Sequence, residues 1–240
     1  IAGGFARRGA RVTIVGRVAE TLDATAAELS RSAEHPVETL VCDVADPEAI
    51  DREIGALQDQ EGPFDTLLMV AGINRRKPAT ELTRDEFDAV IDINLKGAWH
   101  VAQVVGRPML ERGSGNQIHV TSLNVDRPLA NVAPYAMSKA GLQQMVRALA
   151  LEWGRQGVRV NGLAPGFILT DLTKKLWSDP GMATWNRDNT PLGRLGTPDD
   201  LIGAALFLAS PAAAFVTGVS LVVDGGFSSG WSWPIPPNNQ

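Results

Sequence analysis

Short apolar runs alternate with amphipathic stretches along most of the chain. The runs are continuously apolar, which is typical of parallel strands that helices cover on both faces. Six runs predict strands: Arg11–Val15, Val37–Val41, Thr66–Val70, Gln117–Thr121, Val158–Ala164 and Ser220–Val223. Strands that alternate with helices imply right-handed crossovers. The pattern therefore predicts an α/β fold with a doubly wound parallel sheet inside a three-layer sandwich.

The stretches between these strands have the apolar spacing of covering helices. Thr21–Leu29 and Pro47–Leu57 predict short amphipathic helices, and about Pro134–Trp153 predicts a longer one. Another long helix is predicted over Thr83–Met109, because Thr83 and Glu86 form a capping box at its start.

The run Leu201–Val223 carries no charge and is nominally long enough to span a bilayer. Three local signals argue against that interpretation. Thr197–Asp200 is typical of a helix start in water, with a hydroxyl cap, an early proline and two carboxylates. Ser210–Pro211 ends this helix, and Val219–Val223 is typical of a buried strand. We therefore predict a short helix and a strand here, and no membrane partner.

Composition narrows the class of protein. The 240 residues are 44% hydrophobic and 20% charged, with a formal net charge of −5. These values argue against a disordered chain and against a nucleic-acid partner. Cys42 is the single cysteine, so we expect no internal disulfide, no metal site built from cysteine and a cytoplasmic location.

The chain is expected to form one domain. Arg7 and Arg8 follow the first apolar residues, whereas a signal peptide places its basic residues before them. No repeat, linker or shift in composition divides the sequence. We therefore predict a single domain over residues 1–240, in which a Trp/Pro-rich tail occupies residues 231–240.

The candidate chemistry centres on Tyr135, the sole tyrosine. Lys139 follows it by one helical turn, and Ser122 ends a predicted strand. An ammonium group favours the ionised form of a nearby phenol, and a serine hydroxyl can hold a substrate oxygen. The trio therefore suits the interconversion of an alcohol and a carbonyl group. The alternative is a tyrosine at a helix start beside a solvated lysine, with an unrelated serine at a strand end.

These residues belong to a wider pattern that resembles the short-chain dehydrogenase/reductase family. The resemblance covers Ile1 to about Phe227 and rests on several motifs in order: Asp43-Val44, Ala71-Gly72, Asn94 to Gly97, Ser122, Tyr135 to Lys139, Asn161 to Gly166 and Val223 to Gly226. It implies a Rossmann-like fold and an NAD(P)-dependent oxidoreductase that acts on a small molecule.

The resemblance also implies a role for each matched residue. Tyr135 would be the general acid/base, and Ser122 would orient the carbonyl group. Lys139 would lower the pKa of Tyr135 and bind the nicotinamide ribose, while Asn94 would hold a water molecule in a proton relay to Lys139. The implied cofactor-binding residues are Gly16, Arg17, Asp43, Val44, Val70, Ala71, Gly72, Asn94, Tyr135, Lys139, Pro165, Gly166, Ile168 and Thr170.

Two of these positions carry alternatives. Asp43 would meet the adenine, although it could also cap the helix that begins at Pro47. Gly16-Arg17 stands where an enzyme that binds NAD typically places a carboxylate for the ribose hydroxyl. A guanidinium suits a 2′-phosphate, so NADP is favoured over NAD. A solvated arginine is the alternative.

The sequence departs from the family pattern in two places. Met69-Val70 replaces two asparagines whose amides would brace the loop near the cofactor. A catalytically weak, cofactor-binding relative is therefore an alternative function. Ile1–Ala10 matches the later part of the family's first helix, and the strand and glycine-rich loop that would precede it are missing. We therefore expect a longer protein, with roughly 15 to 25 further residues.

The substrate-side residues resemble the sugar-acid branch of the family, namely gluconate 5-dehydrogenase and 2-deoxygluconate 3-dehydrogenase. The resemblance lies in residues 72–76, 190–196 and 200–205. Arg75 or Arg76 could pair with a sugar-acid carboxylate, unless both are solvated. A reductase of 3-oxoacyl thioesters or of general ketones is the alternative function.

Two further expectations concern mobility and assembly. Residues 170–189, with Trp177 and Trp185, could form a lid over the substrate, or these tryptophans could pack on a neighbouring subunit. The resemblance implies a homotetramer, or alternatively a homodimer. The apolar residues expected to supply its interface are Leu142, Met145, Val146, Leu149, Ala150 and Leu206 to Phe215.

Overall fold

A computed structural model of the chain describes residues 1–230, and the tail at 231–240 lies outside the described residues. The described residues form two parallel sheets, one with the order β1-β2 and one with the order β3-β4-β5-β6. The strands are β1 (Thr13–Gly16), β2 (Glu38–Val41), β3 (Thr66–Met69), β4 (Gly115–Val120), β5 (Val158–Pro165) and β6 (Ser220–Val223). All six predicted strands are present, which confirms the α/β fold with parallel strands.

Helices connect the strands and cover them. They are α1 (Ala2–Ala6), α2 (Ala19–Ser30), α3 (Pro47–Ala49), α4 (Gly55–Glu61), α5 (Arg84–Ile91), α6 (Ala98–Arg112), α7 (Ala133–Trp153), α8 (Asp171–Trp177), α9 (Pro180–Asn189) and α10 (Ile202–Ala209). Thr83 and Glu86 form the predicted capping box at the start of α5. A Thr197–Asp200 box and a 3-10 turn, Pro198–Leu201, precede α10 as the sequence indicates.

Two predicted helices contain π-helical segments that the sequence does not reveal. Ile50–Ile54 joins α3 to α4, and Asp92–Gly97 joins α5 to α6. A π segment inserts extra backbone into a helix and turns the side chains that follow to a new direction. The second segment contains Asn94, which is fully buried.

Separate apolar clusters pack against the sheets. The larger cluster joins α6 and α7 to β3 and β5 through residues such as Met69, Val101 and Val158. A second cluster surrounds Ile118 and Leu163 and includes Leu208 of α10. Helices therefore cover the strands from both sides, which confirms the layered Rossmann-like arrangement.

The apolar stretch from Leu201 to Val223 folds as a helix, a short turn and a strand. Helix α10 ends at Ala209, Pro211–Ala213 forms a 3-10 turn, and β6 follows. Among residues 1–230, no helix combines the length and the apolar character needed to cross a membrane.

The prediction of a further strand concerns the edges of β1 and β3, where such a strand could pair. Strand β1 pairs with β2, and β3 pairs with β4. Within residues 1–230, no other strand pairs with either of them. The existence of a further strand and a glycine-rich loop stays a prediction.

The residues expected to form an oligomer interface on α7 lie inside the protein instead. Leu142, Val146 and Leu149 are at most 1% exposed, and Met145 and Ala150 are also buried. They belong to the core cluster that α7 shares with α6 and the sheet. That interface prediction is therefore wrong, because a helix enclosed on several sides needs more than a single apolar stripe.

A close backbone approach fixes the loop after β2. A methyl group on Gly97 would overlap the carbonyl oxygen of Val44, whereas nothing lies within 4 Å of a methyl group on Gly55. Gly97 and Gly55 both have ordinary helical backbone angles, with φ of −60° and −61° respectively. The two positions therefore differ in how closely other atoms approach the glycine and not in their backbone angles.

We expect Gly97→Ala to lower the free energy of unfolding by about 1–3 kcal/mol, because the added methyl group must displace Val44. Gly55→Ala is the matched control and should raise the free energy of unfolding by about 0.5–1 kcal/mol. Denaturant unfolding measures both values. Equal effects of the two substitutions would show that the Val44 contact is unimportant.

Candidate active site

The predicted site residues lie at one edge of the parallel strands. The carboxyl ends of β1, β2, β3 and β5 lead into Arg17, Asp43, Val70 and Gly166 respectively. Ser122 follows β4 in the same way. Ligands of doubly wound sheets bind at this edge because the loops that leave the strands converge there.

Ser122 is held by the loop that follows it. Its Oγ accepts a hydrogen bond from the backbone N–H of Asn124 at 3.1 Å and another from Asn124 Nδ2 at 3.2 Å. Asn124 Oδ1 in turn accepts a hydrogen bond from the N–H of Leu129 at 3.0 Å. Ser122 and Asn124 are 6% and 7% exposed, so little water competes for these bonds.

Tyr135 lies in the first turn of α7, beside Ser122. Burial of the phenol raises the pKa of Tyr135 above its ordinary value of 10, and a hydrogen bond with Ser122 partly offsets this. The sequence predicts instead that Lys139 lowers this pKa. In the structure the Lys139 ammonium lies 5.7 Å from the centre of the Tyr135 ring, and burial has the larger effect.

Lys139 is 3% exposed, one turn further along α7. Its Nζ donates a hydrogen bond to the Val120 carbonyl oxygen at 2.7 Å. Burial lowers the pKa of Lys139 to about 8, because the low-dielectric interior disfavours the charged form. Burial and the charge of Lys139 also lower the pKa of His119 to about 3, so His119 is neutral at pH 7.

Asn94 ties three segments together from its π-helical position. Its Oδ1 accepts a hydrogen bond from the Ile73 N–H at 2.7 Å, and its Nδ2 donates to the Ile73 carbonyl at 2.9 Å. Nδ2 also donates to Ser138 Oγ at 3.0 Å, and Ser138 Oγ donates to the Tyr135 carbonyl. Asn94 therefore links the loop after β3 to α7. Its proposed water-holding role stays a prediction.

Gly72 lies between Asn94 and Lys139. A methyl group at this glycine would lie 3.2 Å from Asn94 Oδ1 and 3.5 Å from Lys139 Nζ. Because Gly72 has no side chain, an open space lies next to Asn94 Oδ1 and Lys139 Nζ, and we call this space the cradle at Gly72. Val70, Ala71 and Gly72 are all exposed at this edge, while Met69 is buried in the core. The loop is therefore braced by Asn94 although the two asparagines of the family pattern are replaced.

Arg17 and Asp43 meet at the ends of β1 and β2. Arg17 Nη1 lies 3.8 Å from the Asp43 carboxylate, and the Arg17 side chain is 62% exposed. The alternative role of Asp43 as a helix cap is wrong, because Asp46 caps α3 by accepting from Glu48 and Ala49. Asp43 instead accepts a hydrogen bond from the N–H of Ala45. Gly16 and Val44 flank the pair.

The end of β5 supplies the other predicted cofactor residues. Pro165 ends the strand, and a methyl group on Gly166 would collide with the backbone of Asp224 at 2.6 Å. Ile168 pairs with Gly196 in an isolated bridge, and Thr170 begins α8 with a capping box.

The two candidate substrate residues, Arg75 and Arg76, are both exposed in the irregular loop after β3. The start of this loop is fixed by the Asn94 bonds to Ile73, and its end by a hydrogen bond from the Lys77 N–H to the Asn131 carbonyl at 3.0 Å. Asn131 lies shortly after Leu129, so the loop that carries Arg75 and Arg76 is hydrogen-bonded to the segment that orients Ser122.

The predicted lid consists of α8 and α9 and packs on aromatic rings of its own chain. The ring of Phe167 makes edge contacts with Trp177, Trp185 and Phe227 at centroid distances of 5.3, 5.7 and 4.8 Å. Trp177 is 8% exposed, so its alternative placement against a neighbouring subunit is wrong. A cavity of about 130 Å³ adjoins Phe167 and is also lined by Asn186 and Thr190. Movement of the lid stays a prediction.

Sequence reasoning missed several residues that position the site. Asn124 and Ser138 make the side-chain bonds described above, and the carbonyl of Val120 holds Lys139. Proximity was the available signal, since Asn124 lies two residues after Ser122 and Ser138 lies directly before Lys139.

Comparisons with known proteins agree with this geometry. A family model described as enoyl-(acyl carrier protein) reductase matches residues 1–228. Gluconate 5-dehydrogenase of Gluconobacter oxydans is 38% identical over 229 residues, which cover 95% of this chain and 89% of that protein. Galactitol 2-dehydrogenase (L-tagatose-forming) of Cereibacter sphaeroides is 40% identical over 228 residues, covering 93% of this chain and 87% of that protein.

A solved structure shows the same fold. The gluconate 5-dehydrogenase of Burkholderia cenocepacia, in complex with NADP and tartrate, superimposes with a TM-score of 0.91 at 36% identity. The match covers 95% of this chain and 89% of that one. Together with the arrangement of Ser122, Tyr135 and Lys139, these similarities show that the chain belongs to the short-chain dehydrogenase/reductase family.

Proposed function

We propose that the protein is an NADP-dependent oxidoreductase that interconverts a secondary alcohol and a ketone on a sugar acid or a related polyol. The single observation that carries this proposal is the grouping of Ser122, Tyr135 and Lys139, in which Tyr135 forms a hydrogen bond with Ser122 and the buried Lys139 ammonium lies 5.7 Å from the centre of the Tyr135 ring. The names of similar proteins, gluconate 5-dehydrogenase and galactitol 2-dehydrogenase, support the substrate class.

The proposed chemistry follows from the donors at the site. When bound, the nicotinamide supplies or accepts the hydride. In ketone reduction, the Tyr135 hydroxyl gives its proton to the carbonyl oxygen, while Ser122 donates a hydrogen bond to the same oxygen. In alcohol oxidation, Tyr135 in its ionised form takes the hydroxyl proton. The Lys139 ammonium favours that ionised form by its charge.

The residues present fit such a cofactor. Arg17 is exposed, and its 3.8 Å contact with Asp43 leaves the guanidinium able to form paired bonds with a 2′-phosphate. The cradle at Gly72 lies beside Lys139, which would contact the nicotinamide ribose. Asp43 and Val44 would lie towards the adenine, and the residues after β5 towards the carboxamide. A solved relative that contains NADP supports the preference for NADP over NAD.

The proposed phosphate contact predicts a change in cofactor preference. Arg17→Ser should raise the KM for NADP about 10- to 100-fold, because a charged hydrogen-bonded partner is lost. The KM for NAD should change less than about threefold, since NAD lacks that phosphate. Steady-state rates with both cofactors measure this, and Arg31→Ser, another exposed arginine, is the control. Equal changes for the two cofactors would contradict the assignment.

The substrate class is proposed from charge. Arg75 and Arg76 are exposed beside the site, on a loop that is fixed at both ends. A guanidinium pairs with a carboxylate in a bidentate geometry, so either arginine could orient a sugar acid. The name of another similar protein, 3-oxoacyl-[acyl-carrier-protein] reductase, keeps a reductase of 3-oxoacyl thioesters as the second candidate function.

We expect turnover of gluconate with NADP, or of 5-ketogluconate with NADPH, followed by the absorbance of the reduced nicotinamide. Tyr135→Phe should lower kcat about 1,000-fold, because it removes the proton donor and leaves the ring in place. Arg147→Ala, an exposed position on the same helix, is the control that should keep full activity.

The choice of substrate separates the candidate functions. A preference for gluconate over the neutral galactitol supports the arginine contact. Turnover of an acetoacetyl thioester without turnover of the sugar acids would favour the thioester reductase. If no substrate reacts and Tyr135→Phe changes nothing, the protein is a cofactor-binding relative and the enzyme proposal fails.

We also propose a homotetramer, or alternatively a homodimer, in the cytoplasm. On α7 the buried residues do not supply an exposed interface, whereas Phe215, which the sequence predicted, and Leu151 and Trp99, which it did not, are exposed. Phe215 is fully exposed, Leu151 is 84% exposed, and an apolar groove of about 470 Å³ runs past Trp99 and Met145. Large exposed apolar surfaces are typical of interfaces. Light scattering should give four subunits, or two, and a monomer at micromolar concentration would refute the proposal.

A further inference from the structure

The hydroxyl of Ser122 is restricted in how it can form hydrogen bonds. A serine hydroxyl has one proton and two acceptor lone pairs. The N–H and the Nδ2 of Asn124 both donate to Ser122 Oγ, at 3.1 and 3.2 Å. Both lone pairs are therefore occupied. The hydroxyl can then serve Tyr135, or a substrate in its place, as a hydrogen-bond donor.

The amide of Asn124 cannot turn to release this restriction. Its Oδ1 accepts the Leu129 N–H at 3.0 Å, so the NH₂ group must face Ser122. A reversed amide would bring a donor against the Leu129 N–H and an acceptor against the Ser122 lone pairs. Asn124 is 7% exposed, so water cannot replace the lost bonds easily.

We propose that Asn124 is a positioning residue that fixes Ser122 as a hydrogen-bond donor towards the oxygen atom of the substrate. This inference rests on the proposed alcohol–ketone chemistry. A carbonyl oxygen gains negative charge as it is reduced, and a donor that is already oriented stabilises that charge without reorganisation.

The resting site is consistent with this polarity. A hydrogen bond with Ser122 lowers the pKa of Tyr135, and because Asn124 fills both lone pairs of Ser122, Ser122 can take part in that bond only as the donor. Asn124 would therefore support both directions of the reaction. With a ketone bound, the single Ser122 proton would be donated to the substrate oxygen, and before an alcohol binds it would be donated to Tyr135 and would help Tyr135 to ionise.

Asn124→Asp tests the polarity with almost no change in shape. The introduced carboxylate keeps an acceptor for the Leu129 N–H but faces Ser122 with an oxygen, so the Ser122 proton turns away from the substrate. We expect kcat for ketone reduction at pH 8 to fall about 100-fold, which is the effect of losing an oriented oxyanion donor. KM should change less than about threefold.

The pH dependence of kcat distinguishes a turned Ser122 hydroxyl from a general loss of structure in the variant. When the introduced carboxyl group takes up a proton, it can donate to Ser122 again, so the ratio of variant to wild-type kcat should rise as the pH falls. The ionisable groups around Ser122 are Tyr135 and Lys139 of α7, His119 of β4, and Asp126 and Arg127 of its own loop. These groups are present in both proteins, so their effects largely cancel in the ratio.

A second measurement needs neither substrate nor cofactor. Tyr135 is the only tyrosine among the 240 residues, so the near-ultraviolet absorbance change on alkaline titration reports its ionisation. The pKa of Tyr135 should be higher in Asn124→Asp than in the wild type, and also higher in Ser122→Ala. In a Ser122→Ala background, Asn124→Asp should add little. This readout remains valid even if the proposed substrates do not react.

Asn161→Asp is the matched control. Asn161 is also buried and bonded on both sides, to the Val216 carbonyl at 2.9 Å and the Val219 N–H at 3.3 Å. This change should lower the melting temperature but leave kcat per folded molecule and the pKa of Tyr135 unchanged. If Asn124→Asp does not fold, Asn124→Ala replaces it, with about a 10-fold fall in kcat expected because the backbone N–H still binds Ser122.

The proposal is overturned if the Asn124 variant keeps wild-type kcat at pH 8 and an unchanged pKa of Tyr135. The same conclusion follows if Asn161→Asp changes the pKa of Tyr135 as much as Asn124→Asp does. Absence of turnover by the wild-type protein, together with the expected shift in the Tyr135 titration, would count against the proposed function and leave the role of Asn124 standing.

Discussion

The hydrogen bond from Lys139 to the carbonyl of Val120 fixes the geometry on which the rest of the site depends. Four residues of helix rise about 6 Å and two residues of strand about 6.6 Å, so the two steps match. Helix α7 runs back along the sheet from the end of β4. Tyr135 lies one turn before Lys139 along the helix, and Ser122 lies two residues beyond Val120 in the direction of the strand. The anchor therefore brings Tyr135 and Ser122 together. Movement of this single anchor would separate the phenol from the hydroxyl.

This anchor places a buried cation where no carboxylate within residues 1–230 forms an ion pair with it. Burial disfavours the charge of Lys139 and brings its pKa to about 8. His119, fully buried on β4 directly before Val120, is neutral at pH 7 and therefore adds no second positive charge near Lys139. The site therefore contains one group, Lys139, whose protonation changes with modest free energy near neutral pH, a property that proton transfer requires.

The order of strands and helices could be predicted from the sequence because continuous apolar runs and capping boxes are local signals. The trio of Ser122, Tyr135 and Lys139 could be predicted for the same reason. The π-helical turn at Asn94 and the clamp by Asn124 could not, since each depends on where a distant backbone group such as Ile73 or Leu129 lies. The apolar face of α7 was misassigned to an interface because a sequence does not show whether its partner is another subunit or the same chain.

The aromatic cluster around Phe167 has a consequence for the energetics of closure. Helices α8 and α9 each begin at their own capping residue, Thr170 and Asp179, and are already folded before a substrate arrives. The predicted movement of the lid would therefore displace helices that are already formed. Most of the conformational entropy of such a segment is lost on folding and not on binding. Substrate binding would then not be weakened by the entropy loss of ordering a loop.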